Sequence, residues 1–244
     1  MKLLLQVLLV ISLALSHASG EPTCPTLEGV TLSREVFKEG YHRDLTTSLH
    51  GNITRSGQEI RLILVETFPP GFYIDQYELA NLKSFGGPET QILEAVDVEK
   101  PAHLSTEFNF FIFIESTDAA DDQFVASVSL PIHLRYQQPQ MNGDGKSSVL
   151  PNPVVAVRCD GEATPAESDN YIRAPCDATA GSLLCYWQKI AVQFSSEPLT
   201  LTVPVGQQNH ITVVICGTFF TISIFTLLLL LTMCTSNNFV KKDE

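Results

Sequence analysis

Residues 211–233 read ITVVICGTFFTISIFTLLLLLTM, a run without one charged side chain. As a helix rising 1.5 Å per residue it would span ~35 Å, enough to cross a hydrocarbon core of ~30 Å with some tilt. A helix packed on the surface of a soluble core keeps a polar face, and this run has none. Its Ser and Thr hydroxyls can bond back to helix carbonyls, which makes them cheap in a bilayer. The rest of the chain leaves little room for further spans: over 244 residues the mean hydropathy is only +0.12. With 44% apolar and 17% charged residues the chain is also too apolar for a disordered protein. Its 27 acidic against 15 basic side chains give a net charge of −12, which disfavours a nucleic-acid partner.

The N-terminal residues set the compartment. Residues 1–20, MKLLLQVLLVISLALSHASG, place one lysine before an apolar run from Leu3 to Leu15, then Ala18 and Gly20 at the −3 and −1 positions of a cleavage site. This is the order of a secretory signal peptide, and a run of about 13 residues is too short to span the bilayer. Glu21 is the expected first mature residue. At the other end, a polar segment, TSNNFVKKDE, follows the long apolar run, whereas a GPI-attachment signal ends in its apolar tail. Lys241 and Lys242 lie beyond the span, and no Lys or Arg stands between Lys189 and it. The positive-inside rule then places the C-terminus in the cytosol, the topology the signal peptide also demands. Two lysines fourth and third from the end of the sequence match a dilysine ER-retrieval address. A stop-transfer cluster would abut the helix. The expected organisation is a signal peptide 1–20, a lumenal domain 21–210, a transmembrane helix 211–233 and a cytosolic tail 234–244, in the endoplasmic reticulum membrane.

An oxidising lumen makes Cys24, Cys159, Cys176 and Cys185 candidates for disulfides. Four cysteines allow three connectivities. The pairing we expect is Cys176 with Cys185, closing a short loop, and Cys24 with Cys159. Cys216 and Cys234, in or at the end of the helix, are expected to stay unbridged. Asn52-Ile53-Thr54 is a glycosylation sequon, which would put Asn52 on the surface.

The lumenal region reads as strands. Ile60 to Phe68, Phe108 to Ile114, Phe124 to Tyr136, Val154 to Arg158, Trp187 to Phe194 and Leu199 to Val205 are short β-branched and aromatic runs bounded by Pro, Gly, Asn and Asp. Pro131 fits an edge or a bulge. Gln76 to Phe85 shows helical spacing and ends at Gly86-Gly87-Pro88. Residues 137–153 are rich in Pro, Gly, Asn and Ser and read as a loop or linker. The expected fold is an all-β, sandwich-like domain, as one body or as two packed halves, followed by one transmembrane α-helix.

A search for chemistry finds no catalytic motif. There is no Gly-x-Ser-x-Gly elbow and no His-Glu-x-x-His helix. Gly145-Lys146-Ser147 lacks the earlier glycine of a phosphate-binding loop, because position 140 is Gln. The acidic stretch 118–122 reads as a solvated hairpin rather than a Ca²⁺ site, which needs six to eight converging oxygens. No Cys-x-x-Cys or Cys/His zinc spacing is present. His42, His50, His103, His133 and His210 are scattered without partner spacing. Neither a metal nor a cofactor is expected. In Leu130-Pro-Ile-His133-Leu-Arg135-Tyr136, strand alternation would put His133 and Arg135 on one face, either as a solvated basic face or as a recognition edge.

That segment, LPIHLRYQ at 130–137, resembles the PIG-X family, the accessory subunits of GPI mannosyltransferase I. So do FFIFIES before it, ETFPPGFYIDQYEL at 66–79 and the single C-terminal span. The resemblance implies a type I ER membrane glycoprotein without catalytic residues of its own. It implies a partner, the polytopic mannosyltransferase PIG-M, which adds the first mannose of the GPI precursor from dolichol-phosphate-mannose and which the accessory subunit binds and stabilises. On this reading His133, Arg135 and Tyr136 are the expected lumenal contact. Gly217, Thr218, Thr221 and Ser223 would allow a close approach to partner helices. Two alternatives stay open: an adhesion or receptor-type β-sandwich at the cell surface or in the ER, and a catalytic ER protein, which would need a convergent polar pocket.

Overall fold

The computed structural model describes residues 27–54, 60–114, 117–118, 123–141, 143–159, 169–179, 181 and 183–240. The proposed signal peptide, Cys24, most of the acidic stretch, Lys241 and Lys242 lie outside the described residues. The strands are β1 (Leu27–Phe37), β2 (His42–Ile53), β3 (Ile60–Phe68), β4 (Phe72–Tyr73), β5 (Glu89–Ile92), β6 (Phe108–Ile114), β7 (Thr117–Asp118), β8 (Gln123–Leu134), β9 (Lys146–Leu150), β10 (Val154–Cys159), β11 (Tyr171–Pro175), β12 (Leu184–Lys189), β13 (Gln193–Phe194) and β14 (Leu199–Val203). The α-helices are α1 (Gln76–Ser84) and α2 (Ile211–Val240).

The chain divides into two units, residues up to 135 with 148–201, and residues 136–147 with the chain from 202 onward. The first unit holds two six-stranded sheets. One runs β13-β1-β2-β8-β4, with β7 also on β8; the other runs β11-β12-β10-β3-β6-β5. All these pairings are antiparallel except β1 with β13.

The first sheet alternates as a half-buried sheet should. Val30 and Leu32 of β1, Leu45 and Leu49 of β2, and Phe124, Leu130 and Ile132 of β8 point inward. The second sheet is buried on both faces at its centre, where Leu62, Ile63 and Leu64 of β3 are all shielded. That is why IRLILVETF reads as a continuous apolar run rather than an alternating one. On one face Leu62, Leu64, Phe68, Phe110 and Ile112 are buried; on the other Ile63, Phe111, Ala156, Ala174 and Trp187 form a second cluster. Aromatic stacking of Phe68 on Phe108, centroids 5.5 Å apart, closes one end of the first face.

Among the described residues, a buried ion pair joins the two sheets. Arg34 of β1 donates from Nη2 to both carboxylate oxygens of Glu66 of β3, at 3.0 and 3.2 Å, and from Nη1 to the Pro151 carbonyl at 2.8 Å. Glu66 is fully buried. Burial pushes its carboxyl up to about 7, against the pull of Arg34. The hairpin β11–β12 carries a disulfide, Cys176–Cys185, and Trp187 next to it donates its indole N–H to the Pro175 carbonyl at 3.1 Å. Cys159 is disulfide-bonded as well.

Two expectations change here. Residues 137–153 are not a plain linker, because Lys146–Leu150 is a strand, paired with β14. Of the two arrangements left open, the pairing joins the chain before and after that segment in one sheet: β10, from after it, pairs with β3, from before it, from Val154↔Val65 to Cys159↔Ile60. Trp187 to Phe194 is likewise two strands rather than one. Pro131 sits where expected of a proline: the outer edge of β8 is covered by β7 at Val125 and by β4 at His133, and Pro131 falls between.

In the second unit, Gln140 pairs with the chain just before α2. Its N–H donates to the Gly206 carbonyl at 2.9 Å and its carbonyl accepts from the N–H of Gln208 at 3.0 Å. The described stretch Gln208–Thr235 is long and apolar enough to cross a membrane, with mean hydropathy 2.5. Thr218, Thr221 and Ser223 each donate a hydroxyl to the carbonyl four residues earlier, at 2.7 to 2.8 Å. Their polarity is thereby spent inside the helix.

Candidate functional site

Two of the segments that carry the family resemblance, 66–79 and 130–137, meet in space. Strand β4 exists only because Phe72 and Tyr73 pair with Leu134 and His133 of β8. On the other side of β8, His42 of β2 is the register partner of His133. A cross-strand row results, His42–His133–Tyr73, on one face of the sheet. The His42 and His133 rings meet edge to face with centroids 4.5 Å apart, and Tyr73 stacks on His133 at 4.7 Å.

Helix α1 supplies the acid. Asp75 caps it, accepting from the N–H groups of Tyr77 (2.8 Å) and Glu78 (3.4 Å). That cap places Glu78 in the first turn, over the histidine pair. One Glu78 oxygen lies 2.9 Å from His133 Nε2 and the other 3.9 Å from His42 Nε2. Asp44 stands 3.8 Å from His42 Nε2 and is itself paired with Lys38 at 2.8 Å. The ligand atoms of His42, Glu78 and His133 all lie within 4.8 Å of one another. The expectation of histidines without partners therefore fails for His42 and His133, which the sheet register joins.

Arg135 does not occupy the solvated face expected of it. The strand ends at Leu134, so alternation no longer governs the next residue. Arg135 is 4% exposed. Its Nε donates to the Phe72 carbonyl at 3.1 Å and its Nη1 to the carbonyls of Asp97 (2.7 Å) and Lys100 (2.6 Å). The guanidinium lies over the Tyr73 ring, 5.0 Å from its centroid. Burial draws its pKa below the ordinary value, with Tyr73 and Asp97 acting against that. Arg135 is an internal clamp between β4 and the loop 97–100, not a side chain offered to a partner. Tyr136, by contrast, is 74% exposed, and Asn52 on β2 is exposed.

A cleft of about 690 Å³ opens beside the edge of β8, lined by Lys83, Glu89, Phe113, Ala126 and Ser129 among others. Lys83 and Glu89 pair at its rim, 3.0 Å apart.

Among the described residues the chain combines two six-stranded β-sheets with one helix long and apolar enough to cross a membrane. The family model described as PIG-X / PBN1 matches residues 38–234, and the chain belongs to that family. It is similar to proteins named GPI alpha-1,4-mannosyltransferase I, stabilizing subunit. The mouse protein is 31% identical over 87% of this chain and 85% of its own length, and the human protein 32% identical over 80% of each. The rat protein is 30% identical over 84% of this chain and 82% of its own. These relatives are named as stabilising rather than catalytic subunits, in agreement with the non-enzymatic reading of the sequence. No solved structure matches the chain.

Proposed function

We propose that this chain is a non-catalytic ER membrane subunit that binds and stabilises PIG-M, the catalytic subunit of GPI mannosyltransferase I. That subunit transfers the first mannose from dolichol-phosphate-mannose to the GPI precursor. The observation that carries the proposal is the similarity to named stabilising subunits over at least four-fifths of their length, sandwich and helix together. On this reading the sandwich is lumenal, Asn52 bears a glycan, and α2 lies beside the enzyme's helices with Gly217 at the contact. Lys241 and Lys242 return the protein to the ER. Of the expected lumenal contact residues, Tyr136 suits a partner by its exposure, whereas Arg135 is buried.

The test is a pull-down of the full-length chain in mild detergent with mass spectrometry. PIG-M should co-purify and its level should fall when this chain is depleted. Recovery of no transferase, with a glycan resistant to endoglycosidase H, would reject the proposal in favour of a cell-surface receptor.

A further inference from the structure

We propose that His42, Glu78 and His133 form a zinc site that clamps α1 to the sheet. Two imidazoles and one carboxylate are a ligand set used by zinc, with a fourth position left to water. The set does not suit Ca²⁺ or Mg²⁺, which prefer oxygen ligands throughout. Zinc–nitrogen bonds of ~2.0–2.1 Å put tetrahedral ligand atoms about 3.4 Å apart. One Glu78 oxygen lies 2.9 Å from His133 Nε2 and the other 3.9 Å from His42 Nε2, and one ligand atom from each of the three residues falls within 4.8 Å of the others, close enough for a single ion to draw them in.

Each ligand is held by a different constraint. His42 and His133 are opposed by strand register, and Tyr73 stacked on His133 fixes its ring plane. Glu78 is aimed by the Asp75 cap. The His133 side chain is 17% exposed, Glu78 33% and His42 41%, so an ion could enter from solvent and keep a water. Glu78 and Asp44 bring two carboxylates to the histidine pair, with Lys38 held by Asp44 and the Arg135 guanidinium set off behind the Tyr73 ring. Zinc takes the lone pair of Nε2, which puts the His133 proton on Nδ1 in the loaded state. A clamp here would tie β2 to β8 and α1, two elements that carry parts of the family segments.

The test uses the full chain in detergent micelles, purified through a tag without histidine and stripped with a chelator. Zinc is titrated in competition with a chromophoric chelator, and Co²⁺ reports geometry by its visible absorption. The expected result is one equivalent of zinc, tetrahedral Co²⁺ bands, and at least a tenfold loss of affinity in His133→Ala and in His42→Ala. Glu78→Gln keeps the size of the side chain and should lose affinity similarly, with near-ultraviolet circular dichroism unchanged. Absence of saturable binding, or binding unaltered in these variants, overturns the proposal and leaves a hydrogen-bonded His–Glu pair. Neither result changes whether PIG-M co-purifies, so the two proposals fail separately.

Discussion

Arg135 shows how one residue changes meaning between sequence and structure. In the string LPIHLRYQ it reads as a cation on a strand face. In the fold it donates to three backbone carbonyls, those of Phe72, Asp97 and Lys100, and is buried. Buried carbonyls that lose a charged donor pay their full desolvation cost. Arg135→Ala should therefore destabilise the domain by about 3 kcal/mol, seen as a lowered midpoint in thermal unfolding. Tyr136→Ala, at an exposed position, should shift stability by less than ~1 kcal/mol and makes the better probe of partner binding. An equal loss in both variants would contradict the clamp. Glu78 carries a similar lesson: as a letter it is an ordinary helical acid, and only the cap at Asp75 turns it onto two histidines.

At the scale of elements, α1 shows most directly how local signals suffice. Asp75 opens the helix and Gly86-Gly87 closes it: the Gly86 N–H donates to the Lys83 carbonyl at 3.1 Å and the Gly87 N–H to the Leu82 carbonyl at 2.9 Å. Gly86 has φ +83°, a conformation that costs L-residues about 1–2 kcal/mol. Gly86→Ala should cost roughly 1 kcal/mol, measured by chemical denaturation, and should loosen the end of α1 in hydrogen exchange. No change in either measurement would mean that the helix end is not held by this turn. The strands were unevenly legible. β3, β6 and α1 could be read almost to the residue, because buried apolar runs and capping signals are local. β1 and β2 were not anticipated. Their inward positions include Arg34 and Thr47, which break the apolar alternation that a sequence reading looks for.

At the scale of the whole molecule, the Arg34–Glu66 pair is a buried polar link between the two sheets of the sandwich. Removing one partner of a buried ion pair leaves an uncompensated charge, at a cost of about 3–5 kcal/mol. Glu66→Ala should therefore unfold the first unit at distinctly lower denaturant, followed by Trp187 fluorescence. Replacing both residues with apolar side chains of similar volume should cost far less. A Glu66→Ala variant as stable as the parent would mean that the pair does not hold the sheets. The helix α2 depends on none of this. The hydroxyls of Thr218, Thr221 and Ser223 bond to its own carbonyls, and its length and hydropathy are properties of the contiguous run.

By itself the sequence determined the membrane-length helix, the all-β character of the domain before it, and the boundaries of α1. Each rests on interactions between near neighbours in the chain: backbone hydrogen bonds, capping, and the burial of a contiguous apolar run. Only the tertiary structure decided that β10 returns to pair with β3, which the sequence left open between one body and two packed halves. It alone brought His42, Glu78 and His133 together, and it alone turned Arg135 inward. These outcomes depend on strand register between segments far apart in sequence, and long-range register is set by which faces bury together, not by any short motif.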